Sequence, residues 1–260
     1  MRFARAVKKK PPAGTLVETR PHNGVWRGHA RRRPTESDGR GGPVRTQVTG
    51  GTIRAVIFDF GGVLCFHPTD EKYARIAALL GIETNRLYQL FWENRIDYDS
   101  GKLDAPAYWG RLARKAGKPL DEPLLKTLLD QEVHLWDNYD WRVLDWARYL
   151  REEGIRTAIL SNLTPVLGAA LRAEPDFVGR FDHVTFSFEL GIVKPQAAIY
   201  HDAVQGVGVA PDEALFLDDK PENVEGAIAA GLHAEVYSSW ENFLERGAGL
   251  YGLPMLLQSP

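Results

Sequence analysis

The sequence predicts an α/β fold: a doubly wound, Rossmann-like parallel sheet with a helical cap inserted after its first strand. Three observations predict it. Short apolar runs recur, and each ends on polar residues. Amphipathic helical patterns separate the later runs, as expected where parallel strands are joined by crossover helices. Between the first run and residue 140 only helical patterns occur.

The 260 residues suit one large or two small domains and suffice for a buried core. Charge divides them unevenly. Residues 1–50 carry twelve Lys/Arg against three Asp/Glu, a balance of +9, while the rest of the chain carries −11. Lys8-Lys9-Lys10 and Arg31-Arg32-Arg33 stand there among scattered Pro and Gly, with no sustained apolar period. Too little apolar surface is available to offset chain entropy, so residues 1–50 read as a disordered basic tail. Its simplest reading is a dispensable arm, or translated sequence upstream of the true start. No nucleic-acid partner is expected outside this arm, which offers only Phe3 and Trp26 for stacking.

Order is expected from Ile53. Ile53-Arg54-Ala55-Val56-Ile57-Phe58 reads as a buried strand that ends at Asp59 and turns at Gly61-Gly62. Residues 69–80, 85–95, 104–116 and 121–136 follow as helices. Their aromatics (Tyr73, Tyr88, Phe91, Trp92, Tyr108, Trp109 and Trp136) read as core rather than as a substrate platform. Residues 141–153 carry an apolar stripe of Val143, Leu144, Trp146, Ala147 and Leu150, stopped by Gly154. Thr157-Ala158-Ile159-Leu160 is a second strand, ending at Ser161-Asn162. Residues 195–204 read as a helix with Pro195 at its first position. Ala214-Leu215-Phe216-Leu217 is a third strand, ending at Asp218-Asp219. Residues 221–230 read as a helix closed by Gly231. The expected division is a core of residues 51–66 and 139–260 around a cap of residues 67–138.

No apolar run approaches the about 20 residues that span a bilayer, so no membrane partner is expected. The basic N-terminus lacks the apolar stretch of a secretory signal. The single cysteine, Cys65, forms no internal disulfide and reads as a small buried residue. A cytoplasmic protein is expected.

The polar strand ends form one constellation. In order, they are Asp59-Phe60-Gly61-Gly62, Leu160-Ser161-Asn162, Val193-Lys194-Pro195, and Leu217-Asp218-Asp219 with Asn223. In open parallel sheets, ligands bind at that edge. Individually these are common turn, cap and surface residues. Together, over about residues 53–246, they resemble the haloacid dehalogenase (HAD) superfamily, and most closely its phosphatases with a small helical cap. Gly101-Lys102-Leu103-Asp104, leading into Tyr108-Trp109, is similar to the same branch.

That resemblance implies a Mg²⁺-dependent hydrolase of small phosphomonoesters, sugar phosphates among them, working through an aspartyl-phosphate. It implies that Asp59 is the nucleophile. Asp59, Asp218, Asp219 and the Gly61 carbonyl would hold the metal, with Asn223 orienting an acidic ligand. Ser161, Asn162 and Lys194 would bind the phosphoryl group, helped by a helix N-terminus at Thr164-Pro165. The chain departs from the family's pattern at Gly61, where most of its phosphatases carry a second aspartate as acid and base. A subset with Asp-x-Gly is similar here and looks like sugar-phosphate phosphatases. His67, eight residues after Asp59, offers a substitute acid, although an ordinary loop histidine is the simpler reading. Two rival functions are a metal-independent dehalogenase, which leaves Asp218-Asp219 unexplained, and a non-catalytic module that binds phosphate or protein. Neither the physiological substrate nor the oligomeric state is written in the sequence.

Overall fold

The computed structural model describes residues 52–246 and 249–255. The basic tail of residues 1–50 lies outside them, as do the last five residues. Five parallel strands form one sheet in the order β3-β2-β1-β4-β5. They are β1 (Ala55–Phe58), β2 (Arg156–Ser161), β3 (His183–Phe186), β4 (Ala214–Asp218) and β5 (His233–Val236). The first strand is therefore central.

Alternation along β1 divides the core. Val56 and Phe58 face one layer with Leu215, Leu217 and Ile159. Ala55 and Ile57 face the other, with Ala158, Leu160 and Phe216. The Trp141–Glu152 helix covers the first layer, and its Trp146 meets the Phe58 ring edge-on at 5.7 Å. The helices Ala197–Val207 and Pro221–Ala229 cover the second. Strands buried on both faces read as continuous apolar runs. Each fully buried Val, Leu or Phe contributes about 1.5–3 kcal/mol.

β3 and β5 are additions to the three strands expected. Both are four-residue edge strands, and His183, Thr185, His233 and Glu235 interrupt their apolar character. The helix expected from Pro195 begins at Ala197, with Gln196 as its N-cap. Lys194 is held by its backbone instead: its N–H donates to Asn162 Oδ1 at 2.9 Å, and its carbonyl accepts from Asn162 Nδ2 at 3.3 Å. Residues 194–195 thus belong to the loop at the sheet edge. Gly231 does follow the Pro221–Ala229 helix, with φ 93°, one residue past the C-cap Ala230.

Between β1 and the Trp141–Glu152 helix stand five helices and no strand. They are Asp70–Leu80, Thr84–Glu93, Arg95–Asp99, Ala105–Lys115 and Glu122–Leu135. Asp104 and Asp121 cap the last two through bonds to Ala107 N (2.7 Å) and Leu124 N (2.9 Å). The insertion has an aromatic core, with Phe91 surrounded by Tyr73, Trp92, Tyr108 and Trp109. Buried Glu132 joins this core to the sheet. It accepts from Trp109 Nε1 at 2.8 Å, from Tyr98 OH at 3.0 Å and from the Thr164 hydroxyl just beyond β2. No helix among the described residues is long and apolar enough to cross a membrane.

Cys65 is fully buried six residues past Asp59, as its reading as an apolar residue requires. Burial pushes its thiol up to about 12. The folded protein is therefore expected to resist iodoacetamide at pH 8 and to be alkylated promptly in denaturant. Mass spectrometry reads the result, and fast labelling of folded protein would contradict this burial.

Candidate active site

The register of the sheet assembles the site. Phe58 pairs with Ile159 on β2 and with Leu217 on β4. Asp59, one residue further, comes level with Asp218, and its N–H continues the ladder to Leu217 O at 2.9 Å. Ser161 ends β2 beside them. Lys194 enters from the loop before the Ala197–Val207 helix. All four side chains are almost wholly buried.

Three donors converge on one oxygen of Asp59. Oδ1 accepts from Phe60 N at 2.7 Å, from Ser161 Oγ at 2.6 Å and from Lys194 Nζ at 2.9 Å. Lys194 Nζ also donates to Asp218 Oδ2 at 2.6 Å and to the Leu160 carbonyl at 3.2 Å. Burial alone would depress the lysine, but Asp218 and Asp59 outweigh it and hold its pKa above the usual range. Asp218 is raised, chiefly by burial and against the pull of Lys194. Asn223 Nδ2 spans the two Asp218 oxygens at 2.9 and 3.0 Å, and Lys220 N adds a bond at 2.8 Å. These contacts fix the orientation of Asp218.

Asp219 faces the same space. One oxygen from each of Asp59, Asp218 and Asp219 can be chosen so that all lie within 4.8 Å of one another. Asp219 Oδ1 is buried and has no protein partner. Three carboxylates and one ammonium leave the cluster formally at −2. Hard oxygen donors, an unpartnered buried carboxylate oxygen and this charge together fit a small divalent cation.

Three residues differ from their sequence reading. Asn162 is expected to bind substrate, but both polar groups of its side chain clasp the Lys194 backbone instead. His67 is more than an ordinary loop histidine. Its Nε2 lies 3.0 Å from Asp219 Oδ2, and that hydrogen bond raises its pKa. Trp136 belongs to the core, as expected, but it also covers the nucleophile loop. Its ring lies against Gly61, where an added β-carbon would stand 2.8 Å from Cζ3. The expected helix after β2 is present as Pro165–Arg172, capped by Thr164 Oγ1 on Leu167 N at 3.3 Å.

A parallel sheet with an acidic cluster at its carboxyl edge and a helical insertion after the first strand defines a doubly wound α/β protein whose ligand site lies at the strand ends. Residues 53–231 match the family model of haloacid dehalogenase-like hydrolases, and the chain belongs to that family. A sesquiterpene phosphatase of Aspergillus oryzae is 26% identical over 185 residues, 70% of this chain and 88% of that protein. The D-ribitol-5-phosphate phosphatase of Bacteroides thetaiotaomicron is 26% identical over 180 residues, 66% of this chain and 85% of its own. Among solved structures, one described as a predicted HAD-like family hydrolase from Porphyromonas gingivalis superposes with a TM-score of 0.63 at 27% identity. That match covers 77% of this chain and 98% of the other.

Proposed function

We propose that this chain is a Mg²⁺-dependent phosphatase of small phosphomonoesters, sugar phosphates among them, acting through an aspartyl-phosphate on Asp59. The observation that carries the reading is the convergence on Asp59. Phe60 N, Ser161 and Lys194 all hold Oδ1, which leaves Oδ2 to attack. Relatives that are phosphatases, one of them acting on D-ribitol-5-phosphate, support the chemistry and the substrate class.

The residues act by charge and position, as phosphoryl transfer requires. Asp59 Oδ2 attacks phosphorus, the bond to the ester oxygen breaks, and the alcohol leaves. Water then attacks phosphorus in the aspartyl-phosphate, releasing phosphate and restoring Asp59. Ser161 and the main chain before the Pro165–Arg172 helix hold phosphoryl oxygens. Lys194 carries its charge against both the carboxylate and the phosphoryl group. Asp59, Asp218, Asp219 and the Gly61 carbonyl would hold Mg²⁺, which when bound supplies positive charge between the carboxylates and the anionic substrate. The dehalogenase alternative leaves the buried, unpartnered Asp219 oxygen without a purpose.

A panel of phosphomonoesters assayed with Mg²⁺ and with EDTA tests the reading. Turnover of some members should require Mg²⁺ and return when it is restored after chelation. Equal turnover in EDTA would overturn the metal role. Phosphate binding without turnover of any ester would assign the non-catalytic module instead.

A further inference from the structure

The Arg95–Asp99 helix of the insertion ends in a carboxylate that is buried but only half bonded. Arg95 Nε holds Asp99 Oδ1 at 2.7 Å. The guanidinium is itself caged by Phe91, Trp92 and Tyr98, at 4.9, 5.4 and 5.9 Å from their ring centroids. Asp99 Oδ2 accepts no hydrogen bond among the described residues. The backbone here is fastened to the sheet layer. The Asp99 carbonyl accepts from Ser187 Oγ at 2.5 Å, and Ser187 Oγ accepts from Leu163 N at 3.0 Å. Two residues on, Gly101 has φ +71°, and a β-carbon there would stand 2.9 Å from the Phe188 carbonyl oxygen. A side chain at that position would push the insertion off this contact.

Strand order fixes what lies beneath Asp99. Leu163 follows Ser161, the last residue of β2. Lys220 stands just past the end of β4, and its charge reaches the Asp99 carboxyl. β1 runs between β2 and β4. A carboxyl tied to the first loop and within reach of the second therefore stands across the strand end that carries Asp59. Lys220 is fixed at its backbone, where N donates to Asp218 Oδ1 at 2.8 Å. Its side chain is exposed and forms no hydrogen bond or ion pair among the described residues. The same charge reaches His67, which is bonded to Asp219. A carboxylate from the insertion and an ammonium from the sheet edge thus oppose each other over the nucleophile without closing into an ion pair.

The chemistry of that gap selects what fills it. A second anionic group beside Lys220 would meet Asp99, with the charge of Glu132 close behind it. A cationic group would meet Lys220. Hydrocarbon would strip water from both charges and offer neither a partner. A hydroxyl both donates and accepts, so it serves a carboxylate and an ammonium at once. We infer that Asp99 and Lys220 are specificity-determining residues that hold a hydroxyl of the leaving group between them, which makes phosphate esters of polyols and sugars the substrates. The inference rests on the phosphatase reading, because Asp59 locates the leaving group.

Esters that differ in their hydroxyls test it. Ribitol 5-phosphate and pentyl phosphate are both five-carbon primary esters, and kcat/KM is measured for each with Mg²⁺. The native chain should prefer the polyol ester by about 10-fold or more, the scale of a hydrogen bond to a charged group. Lys220→Met should lower kcat/KM for ribitol 5-phosphate by about 10-fold, mostly through KM. It should leave pentyl phosphate turnover and inhibition by inorganic phosphate unchanged, and Lys220→Arg, which keeps a donor, should retain the preference. Asp99→Asn keeps a carbonyl for Arg95 Nε but turns the free oxygen into a group that cannot accept, so it should show the same selective loss. If Asp99→Asn melts early, Lys220→Met, at an exposed position, decides alone. Equal native turnover of the two esters, or variants that lose both alike, overturns the inference while phenyl phosphate is still hydrolysed. A preference for esters that carry a carboxylate over ribitol 5-phosphate also overturns it and gives the gap to Lys220 alone. Failure to hydrolyse any ester, phenyl phosphate included, overturns the phosphatase reading and the inference with it.

Discussion

Asp59→Asn is expected to lower kcat/KM for every accepted phosphomonoester by on the order of 10⁴-fold or more, as loss of a catalytic nucleophile does elsewhere. The melting temperature should stay within a few degrees of the native chain. Asparagine keeps the size of the side chain and a carbonyl oxygen for Phe60 N and Ser161 Oγ. Lys194 loses one partner but retains Asp218 at 2.6 Å and the Leu160 carbonyl at 3.2 Å. The change also removes the repulsion that Asp59 exerts on buried Asp218. Lost attraction and lost repulsion therefore oppose each other in stability, whereas in catalysis nothing replaces the attacking carboxylate. A variant that retains activity would remove Asp59 from the mechanism. One that unfolds would make Asp59 a structural residue first. Trapping phosphate on the native aspartate, by rapid quench and mass spectrometry, separates nucleophilic attack from a role in binding alone.

The central strands were legible because burial on both faces leaves β1, β4 and the part of β2 after Thr157 without polar residues until the strand ends. There the polar residues reappear together, since parallel register brings those ends to one edge. The edge strands were not legible. Four residues with His, Thr or Glu among them make no pattern that separates strand from loop. Ser161, Lys194, Asp218 and Asn223 meet around Asp59 because each lies at or just beyond an element end on that edge. His67 and Trp136 reach the site differently. Trp136 is 75 residues from Gly61, at the end of a helix whose apolar pattern states only that the residue is buried. Which glycine it covers depends on how the insertion docks, through contacts such as Glu132 with Thr164. No periodicity encodes that docking. Asn162 shows the converse, because its position beside Ser161 suggested a ligand contact while its side chain closes a loop.

Lys194→Met separates stability from chemistry in the opposite direction to Asp59→Asn. Methionine retains much of the unbranched stem but removes the ammonium, which lies 5.3 Å from the Phe216 ring centroid, and so leaves Asp59 and Asp218 buried without a cation between them. Removing one partner from a buried charge cluster costs about 3–5 kcal/mol, a large share of the about 5–15 kcal/mol that holds a domain together. At about 2–4 °C per kcal/mol for a chain of this size, the melting temperature measured in EDTA should fall by roughly 10 °C. Activity should be lost as well. The pH dependence supplies a sign that general damage would not share. Asp218 is already raised above the usual carboxylate range by burial, and losing Lys194 raises it further. A carboxyl with a higher pKa folded than unfolded binds more protons in the folded state. Its charged form therefore weakens the fold as pH rises through that interval, and protonation restores it on acidification. The gap between variant and native melting temperatures should accordingly narrow from pH 8 to pH 5. Adding Asp218→Asn to Lys194→Met should recover much of the lost stability at pH 8 and none of the activity. A single variant that melts with the native chain at every pH would show that solvent, rather than Lys194, compensates the two carboxylates.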